Sequence, residues 1–157
     1  MAENQENIYQ APMSDLSVTE GGGVSNFKRF SAWGVFGLSI ITLGIYPAYW
    51  LYNRAKVLNS FHENRMSIVL LNSFIITVIA SFSMGFISGA IPDNTVLAIA
   101  NSVISIAYIV IYLVVLYKLR SRLRDVIGCE IGPVLTFFAS AIYLQYKINE
   151  SIDAQED

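Results

Sequence analysis

The densest run of chemically capable side chains is Lys118, Arg120, Arg122 and Arg124, in "YKLRSRLRD". On a helix, Lys118 with Arg122 and Arg120 with Arg124 form two i,i+4 rows, and Leu119 with Leu123 forms a third, apolar one. Cations in that pattern do electrostatic rather than covalent chemistry. Beside anionic lipid headgroups each contributes on the order of 1 kcal/mol. As topology markers they hold a membrane chain in one orientation without binding anything. Both readings stand, and both put this segment in the cytoplasm.

Little else is equipped to react. His62 stands beside Glu63 in a polar stretch, and a metal site needs further ligands. Cys129 is the only cysteine, so no internal disulfide forms. No glycine-rich phosphate loop or nucleophile elbow occurs. The acids Glu63, Asp93, Asp125 and Glu130 form no evident pair. The expectation is therefore a non-enzyme with no catalytic residue, metal or cofactor. A net charge of −2 gives no general attraction to nucleic acid.

The elements that carry these residues are apolar. Only 14% of the 157 residues are charged, against roughly 25% in an ordinary soluble domain. Met66 to Ile91 gives 26 residues without Asp, Glu, Lys, Arg or His, and Thr95 to Tyr117 gives 23 more. At about 1.5 Å per helical residue, each exceeds a hydrocarbon core roughly 30 Å thick. Shorter apolar segments run from Phe30 to about Tyr52 and from Ile131 to Tyr146. The first 27 residues hold four acids and no Lys or Arg. That is no secretory signal, so targeting is expected to rest on the first apolar segment.

The expected class is an all-α membrane protein with about four membrane-embedded helices. The middle two are long spans, the first is broken near Gly44-Pro47, and the last is short. Residues 1–29 read as a disordered acidic tail, 30–147 as the helical membrane domain and 148–157 as an acidic C-terminal tail. Ser73, Thr77, Ser81, Gly85 and Gly89 recur every four residues along the second segment. That stripe fits close helix packing, and its hydroxyls also fit a polar pathway. Gly34, Gly37, Gly44 and Ala48 form a similar seam, and Ala98, Asn101, Ser102 and Ser105 offer a partner face.

In "TLGIYPAYW", Pro47 lacks an N–H and clashes with the carbonyl of Leu43, so helix should kink or stop near Gly44. Tyr46, Tyr49, Trp50 and Tyr52 suit a membrane–water boundary. An interfacial elbow and a simple kinked span both fit. Topology follows from counting cations. Four full spans leave seven or three of the ten Lys/Arg outside. If only the two long helices cross while the first and last segments dip in and return, all ten lie inside.

Leu38 to Ser60, with Thr42, Leu43, Gly44, Ile45, Tyr46, Tyr49, Trp50 and Tyr52, resembles the signature of small bacterial membrane proteins grouped as domain of unknown function 4234. Pro47 stands where that family more often has glycine or another residue. Upstream, "ENIYQAP" is similar to an Asn-Pro-Tyr-x-Ala-Pro tail of small bacterial membrane proteins. The resemblance implies a multi-pass protein of the bacterial inner membrane and brings no activity with it. The expected role is a scaffold subunit that binds anionic lipid headgroups, a membrane-protein partner or a second copy of itself, and no nucleic acid. The alternative is a small pore or transporter with a Ser/Thr/Asn-lined path.

Overall fold

The structure, a computed structural model, describes residues 23–156. Among them there is no strand. A 3-10 turn, Val24–Asn26, leads into five helices: α1 Ala32–Ile41, α2 Ile45–Phe61, α3 Ile68–Ala90, α4 Thr95–Ile127 and α5 Pro133–Glu156. The expected all-helical class holds, and the two long apolar segments are α3 and α4. Their lengths are about 34 and 50 Å at the helical rise. Each is long and apolar enough to cross a membrane. They pack against each other as a hairpin, and Asn94 caps the second arm by accepting from the Leu97 N–H at 3.1 Å.

Burial is confined to one end of this hairpin. Leu71, Phe74 and Val78 from the start of α3 meet Val115, Leu116, Leu119 and Leu123 from the end of α4. The same core takes Leu51, Ala55 and Leu58 from α2 and Leu144 and Ile148 from α5. The other end keeps Ile79, Phe86, Val96, Ile99 and Val103 exposed. The long helices therefore project from a packed base.

The two shorter apolar segments fold back on themselves. After α1 the chain reverses at Leu43 and Gly44, whose φ values are +50° and +88°. Arg54 on α2 then reaches the Lys28 carbonyl that precedes α1. The break lies where expected, near Gly44. Pro47 is not its cause, because it occupies the first turn of α2, where a missing N–H leaves no hydrogen bond unmade. A second reversal has no counterpart in the expectation. Ser140 interrupts α5 with φ +43° and ψ −123°. The Tyr143 hydroxyl accepts from the Gly132 N–H at 3.0 Å, although eleven residues of straight helix would separate the two by about 16 Å.

The ends differ from the expected tails. Residues 1–22, with "ENIYQAP", lie outside the described residues. From there on the chain packs, with Val24 and Phe27 buried. Residues 148–156 continue α5 rather than forming a tail. Ile148 is buried because it continues the face of Leu144, and Asp153 pairs with Arg29 at 2.7 Å.

Candidate functional site: the elbow, two buried arginines and the basic end of α4

The elbow motif is a self-capped reversal. Gly44 N–H donates to the Ser39 carbonyl at 2.8 Å and Leu43 N–H to the Ile40 carbonyl at 3.1 Å. Those two bonds are the Schellman pattern, with Leu43 in the left-handed position glycine usually takes. Thr42 then serves both helices. Its hydroxyl donates to the Leu38 carbonyl at 2.7 Å and accepts from the Tyr46 N–H at 2.9 Å. Ile45 N–H donates to the Thr42 carbonyl at 3.1 Å, and Pro47 has no N–H to satisfy. From Thr42 to Pro47 no backbone donor is left over. A reversal without orphan donors can sit where water is scarce.

Leu43 shares a shallow apolar groove with Ser81, Phe82, Gly85, Phe86 and Tyr108, about 20 to 27 Å along α3 from its start. The elbow is thus beside the middle of the long hairpin, not at the level of the packed base. The aromatics divide accordingly. Tyr49 is exposed, but Trp50 is buried, and its indole N–H donates to Gln145 Oε1 at 2.9 Å. Trp50 is an internal anchor rather than part of an aromatic belt, because Gln145 meets its one polar atom inside the protein.

Arg54 joins the same amide. Its guanidinium donates to Gln145 Oε1 at 3.0 Å and to the Lys28 carbonyl at 3.1 Å. It lies over the Phe27 and Trp50 rings at 5.7 and 5.6 Å, a cation–π sandwich. Burial lowers its pKa from the ordinary arginine value, and Tyr46 offsets part of this. Gln145 in turn donates to Asn149, which donates to the Phe30 carbonyl at 2.7 Å. This network ties both fold-backs together. Sequence reading passed over Arg54 and Gln145. The signals were there: Arg54 lies four residues beyond Trp50, and Gln145 interrupts an apolar run.

The basic end of α4 splits into separate duties. Arg120 donates through Nε to the Ile131 carbonyl at 2.8 Å and fixes the entry to α5. Arg124 is exposed and 4.0 Å from Asp125. Lys118 and Arg122 face a different neighbour, the α2–α3 loop. There Asn59 clamps Met66, donating to its carbonyl at 2.9 Å and accepting from its N–H at 2.8 Å. Asn64, Arg65, Met66, Lys118, Ser121 and Arg122 line a cavity of about 180 Å³. Arg122 is only 4% exposed, and none of its three guanidinium nitrogens has a hydrogen-bond partner.

The small-residue stripe does not make the close contact expected of it within the chain. A Cβ at Gly85 or Gly89 would meet no atom within 4 Å. The inward face of α3 belongs to Leu71, Phe74 and Val78 instead, and these large side chains set the spacing. Ser73 and Thr77 flank that face, and Thr77 donates its hydroxyl to the Ser73 and Phe74 carbonyls. Of the other seam, Ala48 is buried and Gly34 packs under the Phe30 ring, while a Cβ at Gly37 would meet no atom within 4 Å. His62 is a loop residue whose Nδ1 accepts from the Asn64 N–H at 3.1 Å.

A family model described as Domain of unknown function (DUF4234) matches residues 30–125, more than half of the chain. No curated protein and no solved structure matches. The matched span holds the elbow, Arg54 and the basic end of α4, and α5 lies beyond it.

Proposed function

The chain belongs to the family described as Domain of unknown function (DUF4234), and on that premise we propose that it is a non-enzymatic, multi-pass protein of the bacterial inner membrane. In this reading it works as a scaffold subunit that engages lipid headgroups, a membrane-protein partner or a second copy. One observation carries the membrane assignment. Only 17% and 11% of the most apolar stretches of α3 and α4 are buried, whereas the core helix of a soluble protein would be mostly covered. Ile79, Phe86, Val96, Ile99 and Val103 point outward with nothing among the described residues over them. Lipid is the solvent that suits such a surface.

The fold-backs support the topology in which α3 and α4 alone cross. Arg54 returns to Lys28, and Tyr143 returns to Gly132, so each short segment enters and leaves on the side of the packed base. All ten Lys/Arg then lie on that side, as positive charge does on the cytoplasmic face. The pore alternative has less to rest on, since Thr77 and Ser102 spend their hydroxyls on carbonyls of their own helices.

The test is labelling of intact cells with an impermeant thiol reagent. Single cysteines at Ser25, Asn94 or Ser151 are read in a Cys129→Ser background. Label at position 94 alone is expected. Label at 25 and 151 with 94 protected would restore four full spans with the N-terminus outside. Solute flux through liposomes holding the purified protein, above that of empty vesicles, would favour the pore.

A further inference from the structure

We infer that the cavity between the α2–α3 loop and the end of α4 is a phosphate-binding site, with Arg122 at its floor and Lys118 and Arg65 at its rim. A guanidinium removed from water needs compensation by hydrogen bonds or an opposite charge. Arg122 is 96% buried and has neither, as its Nε and both terminal nitrogens are unbonded. The neighbouring charges deepen the deficit. Lys118 lies one turn earlier on the same helix and Arg65 on the facing loop, and both line the cavity. Among the described residues no ion pair neutralises any of the three. Nothing cationic belongs there, and an anion does.

The chemistry of the lining selects the class of anion. Three cations converge, and Asn64 and Ser121 add neutral hydrogen-bonding groups. A carboxylate is satisfied by one arginine fork, whereas a phosphate group has enough oxygens to serve several donors at once. The cavity, about 180 Å³, is room for about six waters at 30 Å³ each, and a phosphate group fits in that space. α3 begins just beyond Met66 with no side-chain cap and no acidic residue in its first turn. Its positive end therefore adds to the attraction.

The level in the molecule points to two sources of the same group. Arg122 lies five residues past Tyr117, where the apolar run of α4 ends, about 8 Å further along the helix. Under the membrane reading proposed above, on which this inference rests for its lipid arm, that is headgroup depth. A lipid phosphodiester enters sideways from the bilayer, and a soluble phosphate enters from water. Arg120 and Arg124 take no part, being occupied by Ile131 and Asp125.

The experiment follows thermal unfolding of the full chain in neutral detergent. One arm adds inorganic phosphate against chloride of equal ionic strength. The other adds phosphatidylglycerol to the micelles against diacylglycerol, which lacks the phosphate. The wild type is expected to gain stability from phosphate, phosphatidylglycerol or both, and from neither control. A response to phosphatidylglycerol alone assigns the lipid source, and one to inorganic phosphate alone assigns the soluble source. Lys118→Gln and Arg65→Gln, at exposed rim positions, should each need about tenfold more ligand for the same effect. Arg122→Met should abolish the response while unfolding, without ligand, at or above the wild-type temperature. Arg124→Gln should respond like the wild type. If Arg122→Met does not fold, the two rim variants decide. No response in either arm, a response matched by the controls, or unchanged rim variants would overturn the site. Flotation of the wild type with vesicles reads membrane seating separately, so failure there leaves the inorganic phosphate arm intact.

Discussion

Thr42→Val isolates the hydroxyl that holds the elbow together. Valine keeps the branched shape and removes only the oxygen, so the contacts of this half-buried side chain change little. Two hydrogen bonds are lost. The Leu38 carbonyl still accepts from the Thr42 N–H at 2.9 Å, so its loss is small. The Tyr46 N–H donates to Thr42 Oγ1 and to no backbone carbonyl. An orphaned backbone donor costs about 1–3 kcal/mol in a protein interior, and several kcal/mol in contact with lipid. The expected loss for Thr42→Val is therefore about 2 kcal/mol or more, while Thr42→Ser, which retains the oxygen, should lose under about 1 kcal/mol. Unfolding in mixed micelles by increasing sodium dodecyl sulfate, followed by circular dichroism, measures both. Equal stability of the valine variant and the wild type would refute the capping account. So would a serine variant as damaged as the valine one.

Leu43→Gly should raise stability by about 1 kcal/mol in the same assay, because a left-handed residue is relieved and the lost side chain is 79% exposed; Leu43→Val should lower it. Gln145→Leu leaves the Trp50 indole N–H and one Arg54 bond without an acceptor, so a loss of at least about 2 kcal/mol is expected. Gln145→Glu, which keeps an acceptor for both donors, should be milder, and an equal loss in the two would point to packing alone. Gly85→Ala should stabilise the isolated chain by about 0.5–1 kcal/mol, since the new Cβ meets no atom. A destabilised alanine variant that also loses cross-linked dimers would instead place Gly85 in a contact between copies.

What sequence showed and what it hid follow from the range of the forces involved. The two long helices were legible because hydropathy is a local sum over residues 66–91 and 95–117. The break at Gly44 was legible because Gly and Pro restrict the backbone on their own. Its level along the long helices was not, since that depends on how α2 packs against α3 and α4. Ser140 carries no breaker signature at all. Its reversal is fixed by partners from a distance, Tyr112 on α4 through a hydroxyl pair and the Tyr143–Gly132 bond. The basic patch was found as a group, yet its division was hidden. Whether a cation meets a carbonyl, as Arg120 does, or lines a cavity, as Arg122 does, depends on the loop laid across it. The period-four stripe makes no close contact within the chain for the same reason. Small residues permit close approach, and here Phe74 and Leu71 hold α3 by its neighbouring face.

The two fold-backs also give the molecule a taper. Seated with only α3 and α4 crossing, the part of the bilayer near Asp93, beyond the elbow, would accommodate two helices. The opposite half must also accommodate α1, α2 and both arms of α5 around them. A body that takes up more area in one leaflet than in the other is a wedge, and lipid packs around a wedge most easily where the membrane is already bent. Because the elbow leaves no backbone donor unmet, the wide side is held open by hydrogen bonds internal to the chain. In that seating the width would be set by the reversals at Leu43-Gly44 and at Ser140, and local bilayer shape would be a variable to which such a body responds.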